Sequence, residues 1–299
     1  MPSWNQVLDE LKNSPRIDAL DYTRTEYLKK LSDFRGRNLI AYYSGWLQSP
    51  GIARTSIIDD DKNGLMATVH NLDRSKGLDL LLHTPGGDMA ATESIIDYLH
   101  KMFDGDIVAI IPQLAMSGGT MIACSCKSIL MGKQSNIGPI DPQFGGIPAH
   151  GVIKEFDEAV EAIKKDPASI PLWQAIIGKY HPTFIGECRN AIKLADQVVT
   201  KRLTQVMFDG EVEAEEKAKR VVAFLNEHDD SLTHARHIHV DEAKACGLKI
   251  EDMESDQKLQ DLILTTHHCF MHTFANTSAV KIIENNLGNR VISVEQPRN

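Results

Sequence analysis

Twice in succession, an apolar run of strand length ends in a glycine turn and gives way to an amphipathic segment. "LDLLLHTPGGD" (78–88) leads into "ATESIIDYLHKMF", whose Ile95, Ile96, Leu99, Met102 and Phe103 share one helical face. "DIVAIIPQLAM" (106–116) leads into "SGGTMIACSC", and a third run, "SILMGKQSNIGPIDPQF", follows. The runs are continuously apolar rather than alternating, so both of their faces are covered. That is the pattern of parallel strands joined by helical crossovers, an α/β fold. Functional groups in such sheets collect where strands end, and both glycine turns lie there.

The flanking sequence is less regular. Residues 1–36 read as a helical segment, with Leu8, Leu11, Leu28 and Leu31 at helix-like spacing and Pro15 dividing the run. "NLIAYYSGWL" (38–47) reads as the first buried strand. "SIIDDDKNGLMATVHNL" (56–72) reads as two short strands about an Asn63-Gly64 bend, its second half equally compatible with helix. Beyond residue 150 the chain turns mostly helical, over 152–165, 171–179, 183–207 and 211–227. A mixed element, "HIHVDEAKACGLKI", then precedes a helix at 255–276. The expected organisation is an N-terminal segment (1–36), a main domain (37–250) and a C-terminal helix and tail (251–299).

A formal net charge of −9 over 299 residues argues against a general nucleic-acid binder, whose phosphate contacts need clustered Lys and Arg. No stretch reaches the roughly 20 apolar residues of a membrane span, and the charged N-terminus lacks a signal-peptide core. Five cysteines, an odd number without framework spacing, fit a reducing compartment. The expected location is the cytoplasm.

Ser117 stands at the second glycine turn. A serine placed where a strand turns into a helix exposes its hydroxyl beside helix N-terminal amides, which suits a nucleophile whose attack creates an oxyanion. Gly118 offers one such amide. The Gly86-Gly87 pair offers another, with no Cβ to obstruct a substrate carbonyl. Serine and glycine are also ordinary turn residues, so each turn alone is better explained as a connection, and it is their joint order that argues for more.

The order "TPGGD", "AMSGGTMIA", "SNIGPIDPQFGG" resembles the ClpP/signal peptide peptidase A class of serine proteases, most nearly its serine dehydrogenase proteinase branch. The strong likeness spans about residues 78–146 and weakens toward 250. It implies a ClpP/crotonase-like spiral of repeated β-β-α units with a helical C-terminal portion, and a serine endopeptidase that needs no cofactor and no metal. It implies Ser117 as nucleophile, with Gly87 and Gly118 at the oxyanion positions. A peptide or protein substrate and a homo-oligomer are implied too, with a separate ATPase or membrane partner left open.

The resemblance implies the order Ser, Asp, His. "SNIGPIDPQ" has no histidine where Clp peptidases carry theirs, but it contains Asp141. "LTHARHIHVDEAKACGL" resembles the branch's histidine segment and points to His234 as base, with His237 and His239 as neighbours that leave the choice open. A lysine base is the alternative, with Lys179 ahead of Lys154, and it requires desolvation to lower the ammonium pKa. Two other readings stay open. His234, His237 and His239, or His268 with His272, have spacings that can hold zinc, with Asp241 and Glu242 nearby. A catalytically silent scaffold is the other. Cys124 and Cys126 read as core thiols.

Overall fold

In a computed structural model, which describes residues 4–226 and 236–295, the apolar runs become the centre of a seven-stranded sheet. Strands β1 (Asn38–Ser44), β2 (Leu78–His83), β3 (Ile107–Ile111) and β5 (Ser128–Met131) are parallel, and β10 (Ile250–Asp252) extends them at one edge. Short strands β4 (Leu114–Ala115), β6 (Asn136–Ile137) and β9 (Ile238–His239) form a separate small sheet, and β7 (Gln143–Phe144) pairs with β8 (Ile147–Pro148).

The continuous apolarity has the cause read from it: each strand feeds two cores. Ile40 and Tyr42 of β1, with Leu78, Leu80 and Leu82 of β2, face one core, while Leu39, Ala41, Tyr43 and Leu81 face the other. The first core is covered by α3 (Asp61–Val69), α4 (Met89–Phe103), α5 (Gly118–Cys124), α8 (Phe184–Arg202) and α9 (Ala214–Asn226). α2 (Ala19–Arg35) and α11 (Gln257–Asn276) cover the second. α1 (Trp4–Asn13) leans on α11, where Trp4 packs tilted against His272 at a ring distance of 4.0 Å. α6 (Ala149–Lys165) packs on α8 over a satellite cluster, α7 (Ile170–Ile177) follows it, and α10 (Val240–Ala245) precedes β10.

Two segments take their form only in the structure. Residues 61–69 form α3, the helical one of the two readings open for that half, and Asn63-Gly64 is no bend. Gly64 lies inside the helix because a Cβ there would come within 2.6 Å of Ile283 Cδ1, so it sets the close approach of α3 to the sheet. The chain after residue 276 is no simple tail. β11 (Ala279–Asn285) pairs antiparallel with β1, and β12 (Arg290–Val294) pairs with β11. All seven β11 residues are buried, including Lys281 and Glu284. Glu284 receives hydrogen bonds from Arg24 and Thr25, and Arg24 is itself wholly buried.

Candidate active site

Because β2 and β3 are neighbours, the turns at their carboxyl ends lie side by side, and Thr84 ties them together. Its N–H donates to the Leu114 carbonyl (3.1 Å) and its carbonyl accepts from Met116 N–H (3.0 Å). Its hydroxyl accepts from Gly86 N–H (3.1 Å). One buried threonine thereby fixes the glycine turn relative to the segment entering Ser117.

Ser117 occupies the residue before α5 with φ 51° and ψ −114°, a conformation that a side chain strains. It is half-buried, between wholly buried helix residues and a cavity of about 460 Å³. Gly87, Gly118, Asn190 and Leu194 line that cavity with it. Gly86 has φ 91°, and a Cβ on it would lie 2.7 Å from Ser117 Cβ and 2.9 Å from Gly118 N. A Cβ on Gly118 would lie 3.5 Å from Gly87 N. The two glycine turns are thus in van der Waals contact, with the Gly87 and Gly118 amides beside the serine.

Gly87 is aimed by Ile57, which no local sequence signal marked. The two form an isolated parallel bridge: Ile57 N–H donates to the Gly86 carbonyl (2.8 Å), and its carbonyl accepts from Asp88 N–H (2.9 Å). A parallel bridge engages the groups flanking Gly87, so the N–H of Gly87 itself points away from Ile57. A Cβ on Gly87 would strike Ile57 N at 2.2 Å. Asp88 then caps α4, its carboxylate accepting from Ala91 N–H at 2.8 Å.

Asp141 is buried, and Ile140 and Pro142 on either side of it line the Ser117 cavity. Its segment is moored twice. Gly138 N–H donates to Thr120 Oγ1 on α5 (2.9 Å), and Ile140 N–H donates to the Leu225 carbonyl at the end of α9 (3.2 Å). His234 lies outside the described residues. His237 and His239 are exposed, the latter giving its backbone N–H to Glu242 at the start of α10. Lys179, in the turn after α7, and Lys154, on α6, are both exposed, and neither lines the Ser117 cavity. The structure therefore gathers Ser117, the Gly87 and Gly118 amides and the Asp141 segment together, with Lys179 and Lys154 outside the lining of their cavity.

The residues set aside for metal chemistry have other surroundings. His268 and His272 pack on Trp4, and His272 Nε2 lies 3.2 Å from the Trp4 carbonyl. Among the described residues, no group of three or more His, Cys, Asp or Glu side chains is placed to hold a metal ion. Cys124 and Cys126 are buried in the first core. Burial pushes the Cys126 thiol up to about 12, which keeps it protonated and unreactive.

A family model described as ClpP-like SDH-type serine proteinase matches residues 11–272. The chain belongs to this family. Its span takes in α2, the whole parallel sheet, Ser117, Asp141 and His234. An uncharacterized protein of Methanocaldococcus jannaschii is 30% identical over 254 residues, 83% of this chain and 81% of that protein. A second uncharacterized protein of the same organism is 27% identical over 191 residues, 64% of this chain and 58% of that one. Family membership supports a serine proteinase at the level of the family. No helix among the described residues is long and apolar enough to cross a membrane.

Proposed function

We propose that the chain is a serine endopeptidase in which Ser117 attacks the scissile carbonyl. The observation that carries this is the seating of Ser117 at positive φ before α5, against the Gly86-Gly87 turn and open to the cavity. Ser117 Oγ bonds to the carbonyl carbon, and the oxygen takes the negative charge beside the Gly87 and Gly118 amides. His234 accepts the Oγ proton and hands it to the amine as the C–N bond breaks. Asp141 orients the imidazole. Water then attacks the acyl ester, returning Ser117 and releasing the second product.

Three further features support this reading. Asp141 is buried in a segment hydrogen-bonded to α5, which suits a fixed orienting group. Lys179 and Lys154 lie exposed and outside the lining of the Ser117 cavity, whereas a lysine base needs a desolvated place beside the serine. The bridges Ile57–Gly87 and Thr84–Ala115, continuing strand ends toward the small sheet, are in keeping with the spiral of β-β-α units. As in the class it resembles, a homo-oligomer acting on polypeptides is part of the proposal.

A fluorophosphonate probe tests it. The wild-type protein is expected to take one label at Ser117. Ser117→Ala is expected to take none, and His234→Ala and Asp141→Asn to label at least about a hundredfold more slowly. Rapid labelling of His234→Ala together with loss in Lys179→Ala would replace the triad with a dyad. A folded wild-type protein that takes no label would count for the silent scaffold.

A further inference from the structure

We infer that the buried Lys281–Asp61 pair is a positioning device for the oxyanion amide of Gly87, an inference that rests on the serine-peptidase reading. Lys281 and Asp61 are only 2% and 5% exposed. Lys281 Nζ lies 2.7 and 2.8 Å from the two Asp61 carboxylate oxygens and 2.7 Å from the Ser56 carbonyl. Those three acceptors use all three ammonium protons. Asp61 Oδ2 in turn accepts from the Tyr42 hydroxyl (2.7 Å) and from Ile58 N–H (2.9 Å). Burial lowers the Lys281 pKa while Asp61 opposes the shift, and burial raises the Tyr42 pKa.

The backbone groups so held are consecutive. Ser44 Oγ donates to the Thr55 carbonyl at 2.7 Å. Lys281 holds the Ser56 carbonyl and Asp61 holds the Ile58 amide. Between them the N–H and C=O of Ile57 are left for the turn at Gly86–Asp88, and those two bonds aim Gly87. The chain from sheet to oxyanion amide therefore runs β11, Lys281, the 55–58 loop, Ile57, Gly87. Stability is a weak explanation for such a pair, since the desolvation of two charges roughly cancels their attraction and well-packed apolar side chains do as well. Fixing carbonyl and amide directions is something apolar side chains cannot do. Neither Lys281 nor Asp61 lines the Ser117 cavity, so the pair acts on the reaction indirectly, through Ile57 and Gly87.

The experiment measures labelling of the full chain by diisopropyl fluorophosphate, separating the maximal rate from the half-saturating concentration. In this step the Ser117 hydroxyl gives its proton to the base, the Oγ–P bond forms, P–F breaks to release fluoride, and the developing phosphoryl charge sits in the oxyanion site. Lys281→Met is expected to lower the maximal rate about 10- to 100-fold with little change in half-saturation, and Lys281→Arg to recover most of it. A single variant strands one buried charge, so Lys281→Met/Asp61→Leu provides the decisive form, with folding checked by circular dichroism. It is expected to be folded and slow. Folded variants that label at the wild-type rate would overturn this role and leave the peptidase reading intact. A wild-type protein without label overturns both.

Discussion

Ile57 brackets Gly87: its amide and carbonyl bond to the residues on either side, which leaves the glycine's own N–H on the side away from Ile57. A Cβ at residue 87 would have to pass through Ile57 backbone, with N at 2.2 Å and O at 2.4 Å. Gly87→Ala must therefore push the two segments apart and rotate the amide. Its labelling rate is expected to fall at least about a hundredfold, the scale of a lost oxyanion donor. Ile57→Ala keeps the backbone bonds, and its rate is expected to stay within about fivefold of wild type. Stopped-flow fluorescence with a tagged fluorophosphonate reads both.

Ser117 carries strain that the rest of the fold supports. At φ 51°, ψ −114°, a residue with a Cβ is costly by about 1–3 kcal/mol, whereas glycine is not. Glycine also adds about 0.4–1 kcal/mol of entropy to the unfolded chain, which offsets part of the gain. Ser117→Gly is expected to be more stable than Ser117→Ala by about 1 kcal/mol, although neither takes a label. Urea unfolding of the two variants measures the difference. An alanine variant equal to the glycine variant would mean that the turn relaxes.

The central sheet and the turn at Ser117 were legible because their causes are local. Continuous apolar runs mark strands buried on both faces, and a serine followed by two glycines marks a crowded turn. The elements missed have causes remote in sequence. Gly64 reads as a turn residue on its own, and only Ile283, on a strand from the far end of the chain, explains a glycine inside α3. β11 was hidden because Lys281 and Glu284 make "AVKIIEN" look solvated, and their neutralising partners, Asp61 and Arg24, lie far upstream. The first glycine turn was visible as Gly86-Gly87, but its support by Ile57 depends on a bridge that no local pattern encodes.

The same remoteness makes Gly64 testable. Its close contact is the end of a flexible side chain, so Ile283 can give way only by leaving its place in the first core. Gly64→Ala gains helix propensity worth about 1 kcal/mol, yet must displace Ile283 Cδ1 from 2.6 Å. It is expected to be destabilised by about 1–2 kcal/mol net. Ile283→Val, which removes that methyl, is expected to relieve the crowding, so the double variant should be more stable than the two single effects added. A double-mutant cycle by urea unfolding gives the coupling.

Acid is expected to act first at the second core. His83 is wholly buried beneath Trp46 and Tyr43, its ring nitrogens with no well-formed hydrogen bond and only a weak interaction with the Leu114 backbone, and His267 stands beside it at a ring distance of 5.2 Å. Burial pushes the His267 pKa down to about 3. Burial, then the neighbouring His267, holds His83 well below the usual histidine range. Both are neutral in the folded chain, while an unfolded histidine takes its proton near pH 6.5. The folded state therefore binds fewer protons, and this contribution is complete above about pH 6.5 and is lost as pH falls toward 3. Each histidine adds a slope of about 1.4 kcal/mol per pH unit below about pH 6. Between pH 6 and 5 most carboxylates remain ionised, so the slope there belongs chiefly to histidines. His83→Leu removes one titration and two poorly satisfied nitrogens. It is expected to flatten that slope by about 1.4 kcal/mol per unit and to raise stability at pH 7 by about 1–3 kcal/mol. Urea unfolding at half-unit steps from pH 7.5 to 5 checks both, and a slope unchanged in His83→Leu would show that water reaches His83 in the folded protein.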